Sequence, residues 1–264
     1  MRRAGTVYLV GAGPGAPDLI TVRALRQLRV ADFVLYDALV APELLEEARS
    51  DAQHIYVGKR GYCVGSTVQG EINELMIQLA RQGRAVCRLK GGDPCVFGRG
   101  GEEAEALAAA GIPFEIIPGV TAALALSSAG IPLTHRAAGQ SVALVTGHFD
   151  PDSPDCTLDW EALARLTCVV FYMGLRHLAR IAARISEAGM SLDTPAAVVE
   201  RLTSSDERVV TGTLANIAAR AADAGAQAPA LIVVGEPVRY RERLALTIAD
   251  ALSTPARVTH DQPR

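Results

Sequence analysis

The sequence lacks any cysteine pattern suited to a disulfide framework or a metal site. Its five cysteines are an odd number, and no two of them form a Cys-x-x-Cys pair. Small secreted domains depend on paired cysteines, and structural zinc sites depend on closely spaced cysteine or histidine ligands. We therefore expect no bound metal, and we expect the protein to reside in the reducing cytoplasm.

A long apolar segment and an excess of basic residues are also missing. No apolar run reaches the roughly 20 residues of a membrane helix, and the amino-terminal residues lack the pattern of a signal peptide. The formal net charge is −3 at pH 7, whereas nucleic-acid-binding domains are usually basic. These absences argue against a membrane or nucleic-acid partner and favour a soluble enzyme.

Short apolar strands alternate with amphipathic helices along most of the 264-residue chain, of which 49% is hydrophobic. This alternation is typical of α/β folds with parallel sheets. In the second half, the strands predicted at 196–200 and 208–212 are joined by a polar turn alone, which indicates a hairpin. We therefore predict two α/β domains with a cofactor cleft between them, the first sheet mainly parallel and the second mixed.

The best domain boundary lies in IPLTHRAAGQ, residues 131–140, where turn residues coincide with a change in composition. The predicted domains are residues 1–136 and 137–252. The polar, proline-containing tail at 253–264 is expected to be disordered.

One connection stands out for its glycine content: RLKGGDPCVFGRGGEE, residues 88–103. Glycine costs backbone entropy when it is ordered, so this density indicates close approach to a ligand or positive φ angles. Lys90, Asp93 and Arg99 add charge to the loop. From its residues alone, the stretch fits a ligand-binding loop and a surface loop equally well.

Two charged residues lie just beyond the ends of predicted strands. Asp37 follows the strand at 33–36, and Lys59 follows the strand at 55–57. Ligands of open parallel sheets bind at the carboxyl edge of the strands, so both are candidate site residues, although solvated turn residues would have the same positions. The turn GAGPG at 11–15 is not the G-x-G-x-x-G of dinucleotide-binding folds, and Pro14 removes a backbone donor, so we do not expect NAD.

Taken together, the motifs resemble those of uroporphyrinogen-III C-methyltransferases, members of the tetrapyrrole (class III) methyltransferases. The similarity spans about residues 5–238, and many ordered motifs are more specific than any one of them. The motifs, in chain order, are YLVGAGPGAPDLIT, VLYDALV, VGKR, RLKGGDPCVFGRGGEE, PGVTAA, AGIPLTHR, YMG, TPAAVVE and PALIVVGEPV.

This resemblance implies a homodimeric enzyme that uses S-adenosylmethionine to methylate uroporphyrinogen III at C2 and C7. The products would be S-adenosylhomocysteine and precorrin-2, a precursor for sirohaem and cobalamin biosynthesis. The resemblance also assigns Asp37 as proton acceptor and Lys59 as proton donor. The positions that it assigns to the cofactor are Pro14, Gly91, Gly92, Asp93, Val96, Thr121, Ala122, Met173, Leu202 and Ala230.

The substrate implied by the resemblance carries eight carboxylates, which a chain of net negative charge must hold through local arginines. Arg60, Arg99 and Arg136 lie in or beside the motifs and are the candidates. The chain departs from the family pattern at Leu202, where relatives commonly have a small residue. A contact made through the backbone would survive that change.

Three other functions are alternatives for this sequence. A methyltransferase acting on a later corrin precursor would share the fold. A protein that binds S-adenosylmethionine or a tetrapyrrole without turnover is a less favoured alternative, and a dehydrogenase is weaker still. Since the sequence shows no additional dinucleotide-binding or synthase domain, we expect methylation alone.

Overall fold

The computed structural model describes residues 4–58 and 69–244. Two compact units are present: the chain up to Ala125 together with Arg201–Arg208, and Leu126–Glu200 together with the chain from Val209 onward. The chain first passes between units after Ala125, in the alanine-rich segment that precedes the predicted boundary at residue 136. The predictions for Lys59, Arg60 and the tail at 253–264 lie outside the described residues.

The first unit contains a five-stranded sheet with strand order β3-β2-β4-β1-β5, and each of its strand pairs is parallel. The prediction of a mainly parallel first sheet is confirmed. Because the strands are parallel, their carboxyl ends share one edge. The strands are β1 (Val7–Gly11), β2 (Phe33–Tyr36), β3 (Gln53–Tyr56), β4 (Val86–Lys90) and β5 (Phe114–Ile117).

Helices cover both faces of this sheet because alternate strand residues point to opposite sides. Leu9 packs in a cluster with Ile72 and Met76, whereas Val10 packs in a second cluster with Leu28. The helices are α1 (Val22–Leu28), α2 (Pro42–Glu46), α3 (Gln69–Arg81), α4 (Gly100–Ala109) and α5 (Ala122–Ala125), with a 3-10 turn at Pro17–Leu19.

The second unit contains a mixed sheet with strand order β6-β7-β10-β8-β9. β6 and β7 are parallel, whereas β10 runs antiparallel to both β7 and β8. The mixed character is confirmed, and β8 and β9 are neighbours, as the predicted hairpin requires. The strands are β6 (Ala143–Thr146), β7 (Cys168–Tyr172), β8 (Pro195–Glu200), β9 (Arg208–Thr213) and β10 (Ala230–Gly235).

The core of the second unit is built on the apolar stripe of the helix Leu178–Glu187. Leu178, Ile181 and Ile185 recur at helical spacing and pack in one cluster with Trp160 and Phe171, whose rings are stacked with centroids 6.2 Å apart. None of the helices in the described ranges is long and apolar enough to cross a membrane. The helices are α6 (Trp160–Ala164), α7 (Leu178–Glu187) and α8 (Ile217–Asp223), with 3-10 turns at Leu175–His177 and Glu236–Arg239.

Candidate functional site

Three glycine turns meet at the carboxyl edge of the first sheet, where the neighbouring strands β4, β1 and β5 end. A Cβ at Gly119 would lie 2.7 Å from Gly11 Cα and closer still to the carbonyl oxygen of Gly92. A Cβ at Gly11 would lie 2.5 Å from Gly119 Cα, and Gly92 has a φ of +70°. Backbone packs directly on backbone here, so the sequence needs glycine at all three positions.

Hydrogen bonds tie these turns together. Gly13 and Gly92 exchange two backbone hydrogen bonds, with N–O distances of 3.2 and 2.6 Å. Asp93 accepts from Gly119 N at 3.1 Å through Oδ2 and from Cys95 N at 2.8 Å through Oδ1. The Asp93 carboxylate therefore joins the turn after β4 to the turn after β5.

Asp37 lies at the same edge, directly after β2. Its Oδ1 accepts from Leu39 N at 3.1 Å, and its Oδ2 lies 3.7 Å from Nη2 of Arg88 on the neighbouring strand β4. The side chain is 24% exposed. Asp37 is thus a partly accessible carboxylate at the same sheet edge as the glycine turns.

A buried charge cluster lies beneath this edge. Glu103 on α4 accepts through Oε1 from Arg88 Nε at 3.1 Å, Lys90 Nζ at 3.0 Å and Gln69 Nε2 at 3.2 Å. Burial lowers the pKa of Lys90, as does Arg88, while Glu103 and Asp37 oppose that shift. All three charged residues are at most 4% exposed.

The sequence motifs do not predict this cluster. By sequence, Lys90 is only one of the charges in the glycine-rich loop, and neither Arg88 nor Glu103 is a candidate site residue. The available signal was that Arg88 and Lys90 alternate on a strand whose five residues are all buried. Charges at such positions are rare unless they are paired.

The GAGPG turn contacts the segment after β8 through backbone groups. Ala16 N donates to Thr203 Oγ1 at 2.9 Å, and a Cβ at Gly15 would lie 2.7 Å from the carbonyl oxygen of Leu202. The Leu202 side chain is buried, and Thr203 has a φ of +66°. Leu202 therefore approaches the turn that contains Pro14 by its carbonyl group, and its larger side chain does not prevent this contact.

Three more predicted positions lie near the glycine turns. Thr121 is buried and precedes α5, which begins at Ala122. Val96 is half-buried in the segment between β4 and α4. Arg99 is exposed, has a φ of +60° and forms an ion pair with Glu102 that raises its pKa.

The predicted site residues of the second unit lie at one edge of its sheet and in one exposed turn. Met173 follows β7 with a φ of +57° and is 51% exposed, and Ala230 begins β10. The antiparallel register puts Leu231 opposite Tyr172, so Met173 and Ala230 share one edge of that sheet. An exposed methionine with a left-handed backbone is uncommon away from functional sites. Arg136 is exposed in the turn closed by His135 and Gly139.

The residues at the carboxyl edge of the first sheet suit a small organic ligand. Within residues 4–58 and 69–244 no group of three His, Cys, Asp or Glu side chains is arranged to hold a metal ion. The described cysteines are free thiols, namely Cys87, Cys95, Cys156 and Cys168. What the edge does offer is tightly packed backbone, small side chains and one accessible carboxylate. The predicted residues that it brings together are Pro14, Asp37, Gly91, Gly92, Asp93, Thr121 and Ala122.

The sequence matches the family of tetrapyrrole (corrin/porphyrin) methylases over residues 6–218. Among curated relatives, the siroheme synthase of Stutzerimonas stutzeri is 53% identical over 243 residues, which cover 91% of this chain and 52% of the relative. The siroheme synthase of Pseudomonas putida is 52% identical over 93% of this chain and 53% of the relative. The chain spans about half the length of the curated relatives it matches.

Solved structures agree with this match. The uroporphyrin-III C-methyltransferase of Thermus thermophilus is 43% identical, has a TM-score of 0.77 and covers 91% of this chain and 98% of its own. A structure of it complexed with S-adenosylhomocysteine is 40% identical, with a TM-score of 0.75 and coverage of 89% and 99%. A cobalt precorrin-4 methyltransferase is 29% identical with a TM-score of 0.78, covering 88% and 95%.

Proposed function

Because the chain belongs to the tetrapyrrole (corrin/porphyrin) methylase family, we propose that it is a uroporphyrinogen-III C-methyltransferase. It methylates C2 and C7 with S-adenosylmethionine and gives precorrin-2 for sirohaem or cobalamin biosynthesis. Family membership confirms the resemblance found in the sequence motifs. The observation that carries the proposal is the set of glycine turns with Asp37 at one sheet edge, in a chain 40% identical to an enzyme complexed with S-adenosylhomocysteine.

The residues at this edge fit S-adenosylmethionine, which has a sulfonium, an ammonium, a carboxylate and a flat adenine. Because the turn at Gly91 and Gly92 has no side chains, such a ligand can approach its backbone closely. Ala122 gives a flat ring room to approach. When bound, the cofactor supplies an electrophilic methyl group, so the task of the protein is to align the accepting carbon with it.

Asp37 has the position and the negative charge to act on the pyrrole ring whose carbon accepts the methyl group. Methylation of a pyrrole carbon leaves a cationic ring, and loss of a neighbouring proton restores its neutrality. A fixed carboxylate either accepts that proton or stabilises the cation, and both roles accelerate the same step. In this proposal the proton donor is Lys59, which lies outside the described residues.

Arginines hold the carboxylates of the substrate in this proposal. Arg99 is exposed beside the glycine loop, but it is paired with Glu102, so a substrate carboxylate must share or replace that partner. Arg136 is exposed on its own turn, and Arg60 lies outside the described residues. Arginine suits this role because its fork matches a carboxylate in two parallel hydrogen bonds.

The direct test is incubation of the purified chain with uroporphyrinogen III and methyl-labelled S-adenosylmethionine. We expect a dimethylated product with the absorbance of precorrin-2 and two S-adenosylhomocysteine molecules per macrocycle. Absence of any methylated tetrapyrrole would refute the proposal. The identity to a cobalt precorrin-4 methyltransferase favours one alternative, so transfer to a later corrin precursor alone would identify that function instead.

Asp93→Ala is expected to weaken binding of S-adenosylhomocysteine by about tenfold or more. The change removes two charged hydrogen bonds to backbone N–H groups, each typically about 1.5 kcal/mol or more, and separates the turn after β4 from the turn after β5. Isothermal titration calorimetry measures the affinity. Asp18→Ala, at an exposed position of the 3-10 turn, is the control and should bind normally. Unchanged affinity in Asp93→Ala would remove the glycine loop from the cofactor site.

Two further parts of the proposal rest on the family resemblance and on the sequence. The enzyme forms a homodimer, which sedimentation equilibrium tests, since a monomer mass at micromolar concentration contradicts it. It works in the cytoplasm, where the free thiols at the described cysteines remain reduced.

A further inference from the structure

The guanidinium of Arg88 is buried and contacts a different partner through each of its nitrogens. Nε donates to Glu103 Oε1 at 3.1 Å, and Nη1 donates to the carbonyl oxygens of Leu35 at 3.4 Å and Leu89 at 3.2 Å. Nη2 is the nitrogen that lies 3.7 Å from Asp37 Oδ2. The position of the guanidinium is therefore set by three elements, β2, β4 and α4.

Stability alone does not account for charges at this depth. Desolvating two cations and a carboxylate is costly, and well-packed apolar residues often replace such clusters without loss of stability. The cluster also leaves Glu103 Oε2 buried without a hydrogen-bond partner in the described part of the chain. The position of the cluster directly beneath a partly exposed carboxylate points to a role in the chemistry at that carboxylate.

The two oxygens of Asp37 are held differently. Oδ1 is fixed by the backbone N–H of Leu39, whereas Oδ2 faces the Arg88 guanidinium across a gap longer than a hydrogen bond. The charge orients Oδ2 but does not occupy its lone pairs, which stay available to a proton or a cationic ring. Lys90 Nζ donates to Glu103 and interacts with Asp37 only at longer range, whereas Arg88 is the cation within 4 Å of the Asp37 carboxylate in the described part of the chain.

We infer that Arg88 is a positioning residue for methyl transfer: held by Glu103, it fixes the carboxylate of Asp37 toward the reacting ring. The inference rests on the proposed function and deepens it. It adds a chain of contacts from α4 through β4 to the residue after β2. Because Arg88 acts through Asp37, its contribution to turnover depends on the Asp37 carboxylate.

The test uses Arg88→Lys, which keeps a cation for Glu103 but lacks the fork that reaches Asp37. We expect kcat to fall about tenfold, while KM for S-adenosylmethionine stays within about twofold. Arg49→Lys is the matched control, because Arg49 faces Asp32, the carboxylate at the other end of β2, at 3.2 Å. The control should keep its turnover, and thermal unfolding of each variant checks that it is folded.

A double-mutant cycle separates positioning from general damage. In an Asp37→Asn background, Arg88→Lys should lower residual turnover by less than about twofold, because the two residues act as one unit. An equal tenfold loss in both backgrounds, or wild-type turnover in folded Arg88→Lys, would overturn the inference.

A structural readout keeps the inference separate from the proposed function. Crystal structures of the wild type and of Arg88→Lys should show the Asp37 carboxylate in one orientation in the former and rotated or in several conformers in the latter. An unchanged carboxylate refutes positioning even if the wild type methylates uroporphyrinogen III. A displaced carboxylate supports positioning even if the wild type proves to act on another tetrapyrrole.

Discussion

Asp37→Asn is expected to lower kcat for methyl transfer by about 10³-fold, the middle of the range for loss of a group that handles a proton. Affinity for S-adenosylhomocysteine should stay within about twofold, because the glycine turns of the proposed cofactor site do not depend on this carboxylate. The amide oxygen still accepts from Leu39 N, so the turn after β2 is preserved. Single-turnover kinetics with labelled cofactor, together with calorimetry, measure the two quantities.

Asp32→Asn is the control for this change, since Asp32 and Asp37 flank the same strand. Asp32 accepts from Ala85 N at 2.8 Å and faces Arg49, so it resembles Asp37 in its partners but lies at the opposite end of β2. We expect reduced stability and normal kcat for Asp32→Asn. If Asp37→Asn instead lost turnover and cofactor affinity in equal measure, Asp37 would belong to the scaffold of the site.

Most strands were predictable from local sequence because they are short apolar runs, and β1, β4, β8 and β10 end at a glycine or a charged residue. The bounds of β2 match the predicted 33–36 at both ends, and those of β8 and β9 match the predicted 196–200 and 208–212 to within one residue. Since parallel strands share their carboxyl edge, strand ends also predicted that Asp37 and Gly91–Asp93 would lie together. The first sheet and the main elements of its site thus follow from patterns a few residues long.

The charge cluster and the contacts of the GAGPG turn were not predictable in this way. Arg88 meets Glu103 only when α4 folds back over β4, and Ala16 meets Thr203 across 187 residues of sequence. The short helix α2 was missed because its five residues, which begin at Pro42, are too few to show helical periodicity. Each of these features is fixed by tertiary packing and has no local signature.

Gly119→Ala is expected to destabilise the first unit by roughly 3 kcal/mol, the upper end for overpacking, and to abolish measurable binding of S-adenosylhomocysteine. The added methyl group meets the backbone of Gly92 and Gly11. A rotamer change cannot relieve such a contact, so the turns after β1, β4 and β5 must separate. The displacement also breaks the hydrogen bond from Gly119 N to Asp93. Urea denaturation and calorimetry measure the two effects.

Gly101→Ala is the matched control, since it makes the same change at a glycine 18 residues earlier in the chain. Gly101 lies in α4, where an added Cβ meets nothing within 4 Å. Alanine favours a helix over glycine by about 1 kcal/mol, so this variant should be more stable than the wild type and bind normally. If Gly119→Ala behaved like Gly101→Ala, close backbone packing would not be what requires glycine at the end of β5, and the cofactor site would have to be placed elsewhere.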